Sequence, residues 1–362
     1  MIHESGIFRM LQPERFGGGE TSPIEWLETI STLAEGDPSV AWATGVLGIH
    51  SFHLSHFSEQ AQQEVWGGSN NGRALLSSPY APNPVKRVDG GFLVSGTWKF
   101  ATGVHHCDYA LVGGSVYDEE PGTGVDRMRA GDFRAFIIPC DQFEIRENWE
   151  VSGMRGTGSH DIEIDNVFVE EHRTLPFRDV TAGTTPGKAV NPGILYQLPF
   201  WQVLGRITTS PVPLGALKAM ADQFCERGRS RVNLRGVRAS DDSVSTSAVA
   251  NAYAAIDEIK GTSYRNLWRL MKSVVDGNTL PIQERLMFRY QTSAATYRVG
   301  ELALALFKAC GAAGIYNDQP FGRLSNDIFA VMGHASNNAQ ANANAWAGIL
   351  MGRDVSEIDP RA

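Results

Sequence analysis

Residues 95–109, Ser-Gly-Thr-Trp-Lys-Phe-Ala-Thr-Gly-Val-His-His-Cys-Asp-Tyr, crowd a tryptophan, hydroxyls, two histidines, a thiol and a carboxylate into one short stretch. Such residues could hold a metal, form a nucleophile with its base, or wall a cofactor pocket. Neighbours on a strand point to opposite faces, and a nucleophile normally meets its base from another element. His105, His106, Cys107 and Asp108 are therefore expected to be strand residues with structural or rim duties.

Other candidates stand outside this stretch. His50, His53 and His56 are spaced by three. That spacing shares a helix face, but the acidic partner of an H-E-x-x-H metal motif is missing. One histidine facing a pocket is the functional reading and satisfied core histidines the structural one. His334 lies in a run of small and polar residues on a predicted helix. It could act as a base near neutral pH or make a core hydrogen bond. Residues 153–161, Gly-Met-Arg-Gly-Thr-Gly-Ser-His-Asp, contain G-x-G without the strand, third glycine and later acid of a dinucleotide fold. They can still offer backbone groups to a flat polar ligand, or simply turn the chain. The one basic concentration is Arg227, Arg229, Arg231, Arg235 and Arg238, which suits bidentate phosphate contacts as well as a solvated helix end.

The elements that must position these residues fall into three regimes. Apolar residues recur at helical spacing over residues 24–66, with Pro23 suited to a helix start. Short alternating runs follow over residues 74–169, and Asp89-Gly90-Gly91 between two of them signals a hairpin. Breakers fill residues 175–199, which read as an ordered connection or binding loop because Phe177, Tyr196, Phe200 and Trp201 cluster around them. Helical periodicity returns over residues 214–227, 249–274, 282–312 and 321–351, and four long helices favour a bundle. The expected class is α+β: an N-terminal helical domain (1–73), a middle β-barrel domain (74–175), a connecting substrate loop (176–207) and a C-terminal four-helix bundle (208–362).

Composition bounds the function. A chain of 362 residues with 42% hydrophobic and 20% charged residues is an ordinary globular one, and a net charge of −8 offers no general attraction to nucleic acid or anionic membrane. The apolar run 302–315 carries Lys308 and is too short to span a bilayer, so it reads as a core helix. Cys107, Cys140, Cys225 and Cys310 have no metal-type spacing and read as small buried residues. The first residues lack a signal peptide's pattern, which makes the cytoplasm the expected location.

The order of regimes, with FRMLQPERFGGGE, GTWKFATGVHHCDY, WEVSGMRGTGSHDIEIDNVFVEEHR and NDIFAVMGHASNN, resembles flavin-dependent monooxygenases of the acyl-CoA dehydrogenase fold. The similarity is greatest to the oxygenase components of two-component aromatic hydroxylases. It extends over nearly the whole chain. Dehydrogenases of that fold carry Tyr-Glu-Gly-Thr near the C-terminus; counted from Asp327, His334 and Ala335 stand in the places of the tyrosine and glutamate. Without that carboxylate, thioester dehydrogenation lacks its base.

The resemblance implies reduced flavin (FMNH2 or FADH2) supplied by a separate NAD(P)H-dependent reductase, O2, a C4a-hydroperoxyflavin, and a small aromatic, phenolic substrate. It implies a homotetramer. Thr102 matches a hydroxyl residue near flavin N5, with Ala101 where a serine is common; Trp98 and Phe100 would wall the ring; Gly158 and Ser159 belong to the flavin loop, and Arg229 and Arg227 to its phosphate. His50 would face the substrate beside Tyr196 and Phe200 and deprotonate or orient its hydroxyl, while His334 would stand by the peroxide or share the base role. Relatives carry some tens of residues before the Gly6 motif, so a start assigned late or a reduced pocket wall is expected. Alternatives are oxygenation at nitrogen or sulfur, a dehydrogenase or oxidase with tightly bound FAD, and a flavin-free partner subunit.

Overall fold

The computed structural model of the chain describes residues 2–68, 71–117, 127–232 and 236–355. Arg235 lies outside them. Three helices come first: α1 (Pro23–Gly36), α2 (Pro38–Leu54) and α3 (Glu59–Trp66). Asp37 sets the start of α2, its Oδ1 accepting from Ser39 N at 2.8 Å and Val40 N at 3.0 Å, with Pro38 at the first helical position.

Strands β1 (Leu76–Ser77), β2 (Asn83–Val88), β3 (Gly91–Ala101) and β4 (Tyr109–Val116) precede a short helix α4 (Arg127–Ala130). Then come β5 (Asp132–Pro139), β6 (Glu144–Arg146), β7 (His160–Glu170) and β8 (Thr174–Pro176). Helices α5 (Phe177–Ala182), α6 (Gly187–Val190), α7 (Ile194–Gln197) and α8 (Phe200–Thr209) occupy the stretch expected as a connecting loop. The chain ends with α9 (Pro211–Gly228), α10 (Ser243–Val275), α11 (Ile282–Cys310), α12 (Pro320–Met332) and α13 (Ala339–Leu350). Among the described residues no helix is long and apolar enough to cross a membrane.

Two compact units result. The first comprises Met1–Ser22, Ala43–Glu150 and Thr157–Trp201; the second comprises Pro23–Trp42, Val151–Gly156 and Gln202–Ala362. In the first unit the strands run β6-β7-β3-β2-β4-β5-β8, with β1 beside β4. The expected hairpin is present: Val88 pairs with Gly91 and Val85 with Val94, and Gly90 takes the left-handed φ of +76°. The expected barrel is not. The end strands β6 and β8 do not pair with each other, so the sheet is open. Each has only three residues, too few to carry the staggered ladder that closure needs.

The second unit buries a core from one face each of α9, α10, α11 and α12, including Leu217, Phe224, Ile256, Leu306, Phe321 and Ile328. Helix α1 packs on α9 where Gly215 faces Ser31: a Cβ there would fall 2.0 Å from the Ser31 carbonyl oxygen. The helix expected over residues 321–351 is two helices. Gly333, Ser336, Asn337 and Asn338 break it, with a short 3-10 turn at Ala335–Asn337, because serine and asparagine side chains compete for the backbone. Three smaller expectations also change. His105 and His106 lie in a 3-10 turn (Val104–His106), and the run expected as one core helix ends at Cys310, leaving Ile315 exposed. Cys140 is exposed while Cys107 and Cys310 are buried.

Candidate active site

In the first unit, chemistry gathers at the end of β3. The register against β7 shifts between Trp98 and Ala101, and Phe100 sits at φ +65°, a left-handed conformation that costs a bulky residue free energy. The bulge turns Phe100 out, 65% exposed, edge-on to Trp149 at 6.2 Å. It turns Thr102 inward. Thr102 Oγ1 lies 2.8 Å from Ser159 Oγ, which lies 2.7 Å from Thr157 Oγ1, and all three residues are buried. Ser77 Oγ donates to the Thr102 carbonyl at 2.9 Å, and Gly103 N donates to the Thr157 carbonyl at 3.0 Å. Gly158, at φ +52°, connects these hydroxyls with nothing closer to its Cβ position than His160 at 3.8 Å.

The histidine row lies on α2 in the same unit, and each ring has its own hydroxyl. His50 Nε2 is hydrogen-bonded to Ser78 Oγ, His53 Nδ1 to Tyr80 Oη, and His56 Nδ1 to Thr185 Oγ1 at 2.9 Å. Burial pushes the pKa of His50 down to about 3, and that of His56 to about 3 with a further push from Lys188. His53 is lowered by burial and by the two flanking histidines. All three rings are therefore neutral near pH 7. His50 differs from a settled core residue in one respect: its Nδ1 is buried without a partner. His56 Nε2 is also unpartnered, but Phe52 and Phe200 close around that ring at 4.9 and 5.2 Å.

In the second unit His334 stands in the turn between α12 and α13. Its Nδ1 accepts from Ser336 N at 3.2 Å and lies 2.6 Å from Ser336 Oγ. Since Nδ1 accepts a backbone N–H, the neutral ring carries its proton on Nε2. Trp42 meets the ring edge-on at 5.5 Å. His334 is exposed, and desolvation by the protein around it lowers its pKa to about 4. Asp327 accepts from Met154 N at 2.6 Å and so pins a residue whose φ is +56°. Arg229 is exposed and pairs with Glu226 at 2.6 Å, while Arg227 donates to Gln319 Oε1 at 2.8 Å.

Several expected contacts change place. Trp98 cannot wall a ligand: it is 0% exposed in the sheet core and its Nε1 donates to the Gly113 carbonyl at 2.7 Å. Burying such a ring stabilises the sheet by roughly 4 kcal/mol at most. Tyr196 is likewise interior, with its hydroxyl donating to the Leu11 carbonyl at 3.2 Å. Phe200 is packed against Phe52 and His53 at 5.4 and 4.7 Å. Ser78 and Tyr80 escaped the sequence reading; alternate hydroxyls around Pro79 were the available signal. His105, Glu147 and His160 approach one another closely enough to suggest a metal. However, His160 Nδ1 accepts from Asn148 N at 3.0 Å and Trp149 N at 3.2 Å, which places the proton on Nε2, toward Glu147. That tautomer opposes coordination at Nε2.

Residues 207–339 match the family described as acyl-CoA dehydrogenase, C-terminal domain. The chain is 32% identical, over 94% of its length and 87% of the relative's, to the flavin-dependent monooxygenase oxygenase subunit HsaA of Rhodococcus jostii. It belongs to the flavin-dependent monooxygenases. The crystal structure of 3-HSA hydroxylase from Rhodococcus sp. RHA1 superposes with a TM-score of 0.90 at 30% identity, covering 99% of this chain and 90% of that one. A further relative is the oxygenase component of p-hydroxyphenylacetate 3-hydroxylase from Acinetobacter baumannii, 26% identical over 99% of this chain and 82% of that protein. The chain is a monooxygenase of the acyl-CoA dehydrogenase-like fold.

Proposed function

We propose that this chain is the oxygenase component of a two-component monooxygenase that hydroxylates an aromatic, phenolic substrate with reduced flavin and O2. The observation that carries the reading is similarity to HsaA along almost the full length of both chains. The relatives' designation as oxygenase components implies a separate reductase. A homotetramer in the cytoplasm, with the C-terminal helices as a four-helix bundle, remains our expectation for the assembly.

Reduced flavin supplies the activation of O2 and the transfer of one oxygen atom. The residues present suit its ring: Phe100 is an exposed aromatic held out by a strained backbone, beside a rim of buried hydroxyls. We assign Thr102, ordered by Ser159, to the polar edge of the ring near N5, Phe100, Gly158 and Ser159 to its surroundings, and Arg229 with Arg227 to the phosphate. His50 is assigned to the substrate hydroxyl. With a pKa near 3 it is a weak proton acceptor, so it orients that hydroxyl by hydrogen bonding through its unpartnered Nδ1. His334 is assigned the opposite polarity, donating from Nε2 toward the oxygen being transferred.

Anaerobic titration with FMNH2 and FADH2, followed by 18O2 and a panel of p-hydroxyphenylacetate, resorcinol and indole-3-acetate, tests the reading. Tighter binding of reduced than oxidised flavin and one 18O per product are expected; neither would be seen from a flavin-free partner subunit. Thr102→Val removes the first hydroxyl of the chain. It is expected to cost about 1 kcal/mol in denaturant unfolding and to divert most reducing equivalents to H2O2, read by a peroxide assay against product. Unchanged coupling would remove Thr102 from the flavin.

A further inference from the structure

Among the described residues two arginines are buried, and they are treated in opposite ways. Arg134, 3% exposed, is surrounded by acceptors: Asp132 Oδ2 at 2.7 Å, a Glu171 carboxylate oxygen and Thr174 Oγ1 at 3.0 Å. Arg206 on α8, 5% exposed, has no carboxylate. Its Nη2 donates to Gln202 Oε1 and, at 3.4 Å, to the Arg285 carbonyl; its Nη1 is buried without a partner. The ring of Phe288 lies 4.9 Å from its guanidinium. Burial, with a further push from the like charge of Arg289, lowers the Arg206 pKa to about 9. Glu284, one turn before Phe288 on α11, is engaged by Arg269 at 2.9 Å. A desolvated guanidinium with an unpartnered nitrogen and no carboxylate is a costly arrangement that folding alone does not favour.

Arg206 also ends a polar row inside the second unit. Gln202, Arg206 and Thr209 are buried on α8, and Ser210, also buried, follows its last residue. Thr209 Oγ1 donates to Asn337 Oδ1 at 3.0 Å, Thr296 Oγ1 reaches the same oxygen at 3.5 Å, and Asn342 Nδ2 donates to Ser293 Oγ at 3.0 Å. Asn337 N in turn donates to the His334 carbonyl at 2.9 Å. Along α11 the step from Phe288, beside Arg206, to Thr296, beside Asn337, is about 12 Å at 1.5 Å per residue. That is about the span of an aromatic ring with a short side chain.

We propose that Arg206 is a carboxylate-recognition residue, its unpartnered Nη1 selecting an aromatic substrate that carries an acid group at the end remote from His334. The proposal rests on the monooxygenase reading above. A carboxylate accepting from Nη1 gives the guanidinium the counter-charge that Asp132 and Glu171 give Arg134. The same chemistry could come from a free small anion, so the test separates the two sources.

Calorimetric titration of wild type, Arg206→Lys and Arg206→Met with 3-(4-hydroxyphenyl)propanoate, its primary amide and sodium acetate decides the matter, alongside thermal unfolding of each variant. Wild type is expected to bind the acid at least about tenfold more tightly than the amide. Arg206→Met should lose that preference without a lower unfolding midpoint, since it removes an uncompensated buried charge, and Arg206→Lys should keep part of it. A preference that survives in Arg206→Met, or a lower midpoint in Arg206→Met with no acid preference in wild type, would make the residue structural and overturn the proposal. Protection of wild type by acetate, with acid and amide binding equally, would assign the site to a free anion and overturn the substrate assignment. Wild type that binds reduced flavin and oxygenates a neutral phenol, yet shows no acid preference, sinks this inference alone; wild type that does neither sinks the monooxygenase reading.

Discussion

His50→Ala is expected to lower the rate of coupled hydroxylation by about a hundredfold or more while reduced flavin is still consumed and its equivalents appear as H2O2. Deleting the ring removes the unpartnered Nδ1 and strands the Ser78 hydroxyl, so a phenol would lose the group that fixes its distance and angle. Misplacing a reacting atom by about 1 Å is enough for a loss of that size. His50→Gln, which keeps a hydrogen-bonding head, should recover part of it. His334→Ala should fail differently. Its neutral Nε2–H is placed as a donor by Ser336 N, so its loss should slow oxygen transfer to any substrate and change the pH profile of coupling. Simultaneous assay of product, H2O2 and flavin reoxidation separates the two variants, and an exchange of their phenotypes would exchange the two roles.

The chain is expected to lose much of its stability between pH 6.5 and pH 5. His50 and His56 hold folded-state pKa values of about 3 against 6.5 for a free histidine. Between those values the unfolded chain binds more protons than the folded one. Their contribution is therefore fully present above about pH 6.5 and is lost as the pH falls toward 3. At pH 5 each site costs about 2 kcal/mol, or about 4 kcal/mol together, against a typical folding free energy of about 5–15 kcal/mol. His53 acts in the same direction. Denaturant unfolding at pH 7, 6 and 5 should show the midpoint collapse, and His56→Gln should flatten the slope by about 1.4 kcal/mol per pH unit. A midpoint constant from pH 7 to 5 would mean that these rings protonate freely in the folded state.

Much of the local structure was legible because it depends on neighbours in sequence. Asp89-Gly90-Gly91 determined the β2–β3 hairpin through glycine's access to a left-handed φ. Helical spacing located α1, α2 and α9 to α11, since burial of one face repeats at 3.6 residues per turn. Trp98 shows the limit of borrowing a role from resemblance. It shares the buried side of β3 with Phe92 and Val94, at alternate positions of the strand. The same alternation would have buried Phe100, and only the bulge against β7 turned it outward.

The sequence by itself determined the order of helical, sheet and helical regions and the β2–β3 hairpin. Tertiary structure alone decided that the sheet stays open, because closure depends on edge strands 30 residues apart in sequence finding a ladder that three residues cannot supply. It decided that His50 meets Ser78, that Thr102 meets Ser159, and that His334 is a donor held in a turn. It also decided that Arg206 is buried without an anion. Hydrogen bonds and desolvation act between groups far apart along the chain, and their effect on a proton or a charge exists only once packing has brought those groups together.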